Sequence, residues 1–131
     1  MSPLAGKEPS PFGSLYSHGF ARVAAAVPHV QIAEPSVNAE RTLALARRAA
    51  GERAALVVFP ELGLSGYSIE DLFQQQALQA AVLEGLEQIV AESAALAPVL
   101  VIGAPLHVDG GLFNTAVVVH RGRILGAVPK S

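Results

Sequence analysis

The sequence predicts a layered α/β protein built on a mixed sheet, with its elements in the order β-α-β-α-β-β-β. Three observations carry that reading. Short apolar, β-rich runs alternate with helical stretches through the first hundred residues, the pattern of a layered α/β unit. Two further β-rich runs, 112–120 and 123–128, flank Arg121-Gly122, which marks a hairpin and so a mixed sheet. With 131 residues, 51% hydrophobic and 15% charged, the chain suits a single domain with a real core rather than a disordered segment.

The elements follow from local signals. Residues 1–16 are expected to form an extended arm, because Pro3, Gly6, Pro9, Pro11 and Gly13 interrupt any helix. RVAAAV at 22–27 is the first strand. Glu34-Pro35-Ser36 opens a helix, with Pro35 or Ser36 near its start, and Gly51 is its natural stop. Ala39, Leu43, Ala46 and Ala50 give that helix a narrow apolar stripe.

The second strand is 54–59. Residues 69–97 are helical in one or two pieces, with Asp71 in the first turn. Val82, Leu86, Ile89, Ser93 and Leu96 trace one face, and Pro98 ends the helix. VLVIGA at 99–104 is the third strand, and the hairpin completes the order.

Composition narrows the function classes. A formal net charge of −2 with scattered cations argues against nucleic acid as a partner. The one adjacent basic pair, Arg47-Arg48, reads as a solvated helix face. The absence of cysteine excludes a disulfide framework, and no apolar stretch approaches the roughly 20 residues of a membrane span. Residues 1–20 lack the apolar core of a signal peptide, so a cytoplasmic protein is expected.

The chemistry is concentrated at two strand exits. Leu56-Val57-Val58-Phe59-Pro60-Glu61 places a carboxylate at the end of a buried run, a costly position without a use. Lys130 follows the last β-rich run. If the two strands are neighbours in one sheet, an acid and a base converge at one edge. There Glu61 can serve as a general base, and Lys130 can stabilise an oxyanion on a substrate carbonyl. The plainer alternatives are a solvent-facing carboxylate and a lysine exposed at the strand tip.

Gly63-Leu64-Ser65-Gly66-Tyr67 nearly matches the Gly-x-Ser-x-Gly elbow of serine hydrolases, one residue short, between a strand and a helix. Ser65 is therefore either a nucleophile or part of a glycine-rich turn. Neither a dinucleotide fingerprint nor a Walker A loop is present. His18, His29, His107 and His120 show no metal spacing, and His107-x-Asp109 suits a turn better than a ligand pair. Asn114-Thr115 is expected to supply buried hydrogen bonds that pin neighbouring loops.

Taken in order, Phe59-Pro60-Glu61, Asn114-Thr115-Ala116 and Lys130 after the hairpin resemble the nitrilase, or carbon–nitrogen hydrolase, superfamily. Ser17-His18-Gly19-Phe20-Ala21-Arg22-Val23-Ala24 and the stretch from Glu61 to Phe73 (ELGLSGYSIEDLF) resemble, more narrowly, the glutaminase domains of the glutamine-dependent NAD synthetase family. The resemblance runs from about Leu15 onward and covers the first half of such a domain. It implies an incomplete αββα sandwich, with residues 17–131 as its N-terminal half.

It also implies a Glu–Lys–Cys mechanism. Glu61 activates a cysteine thiol, the thiolate attacks the glutamine side-chain carbonyl, and Lys130 stabilises the intermediate. Ammonia leaves to amidate deamido-NAD in a separate domain that uses ATP and Mg, while the glutaminase step needs no cofactor or metal. Tyr67 is implied in shaping the substrate pocket, and the intact protein is implied to be a homo-oligomer.

The nucleophilic cysteine is expected some tens of residues beyond Lys130, so the 131 residues alone are expected to hydrolyse nothing. The competing readings are another nitrilase-type amidase, an inactive partner-binding remnant, and a small serine hydrolase using Ser65.

Overall fold

The computed structural model describes residues 14–66 and 76–130. One five-stranded mixed sheet runs through them in the spatial order β1 (Val23–Ala25), β2 (Leu56–Val58), β3 (Val99–Val108), β4 (Gly111–His120), β5 (Arg123–Pro129). β1, β2 and β3 are parallel, and β4 and β5 are each antiparallel to their neighbour. β5 therefore points the same way as β2. The crossovers are α1 (Pro35–Gly51) between β1 and β2, and α2 (Gln76–Glu92) between β2 and β3.

The element order is the one read from the sequence, with shifts at the ends. A one-turn 3-10 helix, Leu15–His18, capped by the Ser14 side chain, takes in two residues of the expected arm. The start of the second helical stretch, including Asp71, lies outside the described residues. β1 and β2 are shorter than their apolar runs because only three residues of each find paired partners. β3 is longer than expected and reaches Val108. Its pairing with β4 continues to the Asp109-Gly110 turn, where both residues have positive φ (49° and 79°), the two-residue hairpin geometry.

α1 and α2 pack side by side on one face of the sheet and enclose the core. Ala39, Leu43 and Ala46 are buried as the stripe predicted, and Ala50, on the same line, is partly buried and packed against the core. Ala49, to one side of that line, is buried as well, so the buried face is wider than the stripe. All five expected inward residues of the second stretch, Val82, Leu86, Ile89, Ser93 and Leu96, are buried. Val57, Leu100, Ile102, Val117 and Val119 meet them from the sheet.

The opposite sheet face carries Val58, Val101, Gly103, Ala116 and Val128, and no described helix covers it. Both faces of the central strands are therefore apolar, which accounts for the continuous apolar runs in the sequence.

The β4–β5 hairpin turns at Arg121 and Gly122, again with φ positive at both residues (51° and 82°). Its tip is held against the 3-10 turn Ser93–Ala95 that follows α2, because the Gly122 N–H donates to Ser93 Oγ at 2.8 Å. Further along, the register slips between Val118 and Val119, leaving Leu125 as an extra residue. This β-bulge inverts the alternation, so Ile124 pairs with the inward Val119, whereas Gly126 and Val128 fall on the open face.

Candidate active site

Both sequence-marked strand exits lie at one edge of the sheet, on its open face. Glu61 and Lys130 meet there, with Lys130 Nζ 2.9 Å from Glu61 Oε1. The condition attached to their convergence does not hold, since β2 and β5 are separated by β3 and β4. Three strand spacings amount to about 14 Å, the limit of what the two side chains could bridge at full extension. The chain closes that gap itself. After β2 it crosses the open face of β3: the Phe59 N–H donates to Val101 O at 3.0 Å, and the Leu64 N–H to Gly103 O at 3.1 Å. Glu61, between these two anchors, is carried toward β4 and β5.

β4 supplies the link. Asn114 Nδ2 donates to the same Glu61 Oε1 that Lys130 contacts, and the Asn114 carbonyl accepts the Lys130 backbone N–H at 2.8 Å. One residue thus fixes the carboxylate with its side chain and the lysine with its backbone. Asn114 was expected to pin loops, and the loop it pins is the one that bears Glu61. Both bonds to Oε1 are charge-assisted, the stronger and shorter class of protein hydrogen bond. Exposure differs across the pair: the Glu61 side chain is 34% accessible and the Lys130 side chain 67%.

A second polar anchor was not legible in the sequence. Asn38 on α1 is fully buried and donates to Leu64 O at 2.8 Å, while also exchanging two 2.7 Å bonds with the backbone of Gln31. Its neighbours Ala39 and Thr42 suggest only a helix interior. Asn38 satisfies the backbone of two irregular segments, including the buried Leu64 carbonyl that would otherwise lack a partner from this helix. The loop after β2 is thereby held from the helix layer as well as from β3.

A cleft of about 350 Å³ opens beside the pair, lined by Val58, Val101, Ala116 and Val128 together with Glu61, Asn114 and Lys130. An apolar floor with a few converging polar groups is the usual form of a small-molecule site. A smaller cavity of about 190 Å³ lies against the other side of the loop, where Glu61 is joined by Val30, Ile32 and Leu62.

Ser65 does not reach either space. It is fully buried, with its Oγ lacking a protein partner, so the elbow reading is corrected: Ser65 sits inside a turn and is closed to substrate. Tyr67 lies outside the described residues. Among the described residues no three His, Cys, Asp or Glu side chains gather in a metal-binding arrangement.

Replacing Asn114 with Ala should release Glu61 without removing a charge. The expected result is a turnover at this cleft lowered roughly 10-fold or more, as for a misplaced reacting group. Lys130→Ala/Asn114→Ala should then be much less than additive, because both act on one oxygen. Steady-state kinetics of the full-length single and double variants checks this.

Residues 22–130 match the carbon-nitrogen hydrolase family model, nearly the whole described chain. The chain belongs to the carbon-nitrogen hydrolase family. Within that family it is similar to the glutamine-dependent NAD(+) synthetase of Mycobacterium tuberculosis, 55% identical over 120 residues that make up 92% of this chain. It spans only 18% of that relative's length.

Solved structures agree on the fold. The glutamine-dependent NAD(+) synthetase of Cytophaga hutchinsonii superposes with a TM-score of 0.78 at 22% identity, over 85% of this chain and 19% of the other. A mutant amidase from Nesterenkonia sp. AN1, with acrylamide added at its active-site cysteine, gives a TM-score of 0.68 at 21% identity, over 85% and 44%. The carbon-nitrogen hydrolase fold thus accounts for the mixed sheet and the two helices on one face.

Proposed function

We propose that residues 17–131 form the N-terminal half of a glutaminase domain, and that the full protein is a glutamine-dependent NAD synthetase. The single observation that carries this is the convergence of Glu61, Asn114 and Lys130 at one cleft, in a chain 55% identical to such synthetases over almost its full length. A carboxylate paired with an ammonium beside an apolar cleft suits acyl transfer from an amide. The carboxylate takes the proton of the nucleophile, and the ammonium faces the oxygen that gains charge.

In this reading a cysteine from outside these residues is the nucleophile. Glu61 accepts its proton as the thiolate adds to the side-chain carbonyl of glutamine. Lys130 stabilises the resulting oxyanion. Collapse of the tetrahedral intermediate breaks the C–N bond, and the departing nitrogen takes the proton from Glu61 to leave as ammonia. Water activated by Glu61 then adds to the thioester and releases glutamate and thiol.

Tyr67 borders the substrate in the same reading. The hydrolytic step uses no cofactor, while ATP and Mg serve a separate domain in which ammonia amidates deamido-NAD. A cytoplasmic homo-oligomer with no nucleic-acid or membrane partner completes the proposal. It is consistent with the balanced charge, and no described helix is long and apolar enough to cross a membrane.

Full-length protein given glutamine, ATP, Mg and deamido-NAD should form NAD and glutamate in equal amounts. Release of ammonia from simple aliphatic amides, with no NAD formed from deamido-NAD, would instead assign the chain to a nitrilase-type amidase.

A further inference from the structure

We infer that Gly103 is a positioning residue for Glu61, an inference that rests on the role proposed for Glu61. The stretch of β3 around it is Val99-Leu100-Val101-Ile102-Gly103-Ala104, and a glycine inside a central strand forgoes side-chain packing. Its place on the open face explains the exception. A Cβ built on Gly103 would collide with the Pro60 carbonyl oxygen, 2.6 Å from the Leu62 nitrogen and 3.0 Å from the Glu61 carbonyl carbon. All three are backbone atoms of the segment that crosses β3, so no side chain can turn aside to make room.

The crossing segment is also tied on both sides of that point. Phe59 is bonded to Val101, Leu64 to Gly103, and the Pro60 carbonyl accepts the Gly63 N–H at 3.1 Å. A side chain at 103 therefore lifts the middle of the segment while its ends stay in place. The lifted part is the residue bearing the carboxylate, and its partners Asn114 and Lys130 belong to other strands and do not move with it. The absence of a side chain at 103 sets how close Glu61 comes to its partners.

Other glycines provide a graded comparison. A Cβ at Gly63 would sit 3.1 Å from the same Pro60 oxygen, a contact relieved by a few tenths of an ångström. A Cβ at Gly126, on β5, meets nothing within 4 Å. The inference thus orders three Gly→Ala substitutions by their push on one loop.

The test uses the full-length protein, with glutamine hydrolysis and ammonia-driven NAD synthesis measured on the same preparations. Gly103→Ala should lower the glutamine kcat roughly 10- to 100-fold, the usual consequence of misplacing a reacting group by about an ångström. Its KM for glutamine and its ammonia-driven rate should stay near wild type. Gly63→Ala should lose a few-fold, and Gly126→Ala should be unchanged.

A wild-type kcat in Gly103→Ala, or a change confined to KM, overturns the inference. So does parallel loss of glutamine- and ammonia-driven rates, which marks a general folding defect. Should Gly103→Ala not yield folded protein, Gly63→Ala decides: a lowered kcat at unchanged KM supports the inference, and wild-type kinetics overturns it. Glu61→Gln is run alongside. Full glutaminase activity in that variant defeats the role of Glu61 itself, whereas an inactive Glu61→Gln beside a fully active Gly103→Ala defeats only the role of the glycine.

Discussion

In the proposed synthetase, Glu61→Gln in the full-length protein is expected to abolish glutamine-driven NAD formation while ammonia-driven formation continues. The substitution keeps the shape of the side chain. Its amide oxygen can still accept from Asn114 Nδ2 or Lys130 Nζ, which both now bond to Oε1. What it removes is the capacity to take a proton, so the loss falls on chemistry rather than on folding. General base catalysis contributes about 10²- to 10⁴-fold, and the glutamine kcat should drop by that factor. Supplying ammonia directly bypasses the step. Equal loss with both nitrogen donors would mean that Glu61 supports the fold and nothing more, and a coupled assay with either donor separates the outcomes.

Lys130→Ala should lower the glutamine kcat about 10²- to 10³-fold, the usual effect of removing one oxyanion donor. The prediction is clean because the structural cost is small. The Lys130 side chain is two-thirds exposed, and ion pairs at such sites contribute little to stability. The melting temperature should therefore stay close to wild type while turnover collapses. Lys130→Arg keeps the charge but spreads it over a wider planar group, so it should restore only part of the rate. Full activity in Lys130→Ala, measured by glutamate release, would remove the lysine from the mechanism.

The parts of this fold that the sequence revealed are those written in local patterns. Apolar runs, Pro35, Gly51, Pro98 and the Arg121-Gly122 turn mark elements because their effect is felt within a few residues. Glu61 and Lys130 stood out for a similar reason, as charges at the ends of apolar runs. The Asp109-Gly110 turn is a hairpin signal of the same local kind.

What the sequence concealed was contact between distant segments. The path of 60–64 over β3 depends on a glycine some forty residues away, and Asn38 reaches Leu64 from another layer. An isolated glycine in VLVIGA does hint at a close backbone approach, but it does not say which backbone approaches. Asn114 meets Glu61 across 53 residues of sequence, so nothing local to either residue announces the pairing. For Ser65 the sequence leaves a nucleophile and a glycine-rich turn open, and its burial selects the turn.

Gly122 is fastened to Ser93 beside α2, and from there β5 runs as an edge strand to the lysine at its far end. β5 is paired with β4 from Arg123 to Pro129, so the two strands move as one hairpin. Seven strand residues span roughly 23 Å, so a tilt of that hairpin by about 3° at the fastening would swing the ammonium by roughly 1 Å. The hydrogen bond between Lys130 and Asn114 extends the same ladder to the lysine. A hydroxyl on the helix side of the sheet thus helps set the aim of a charge on the open side.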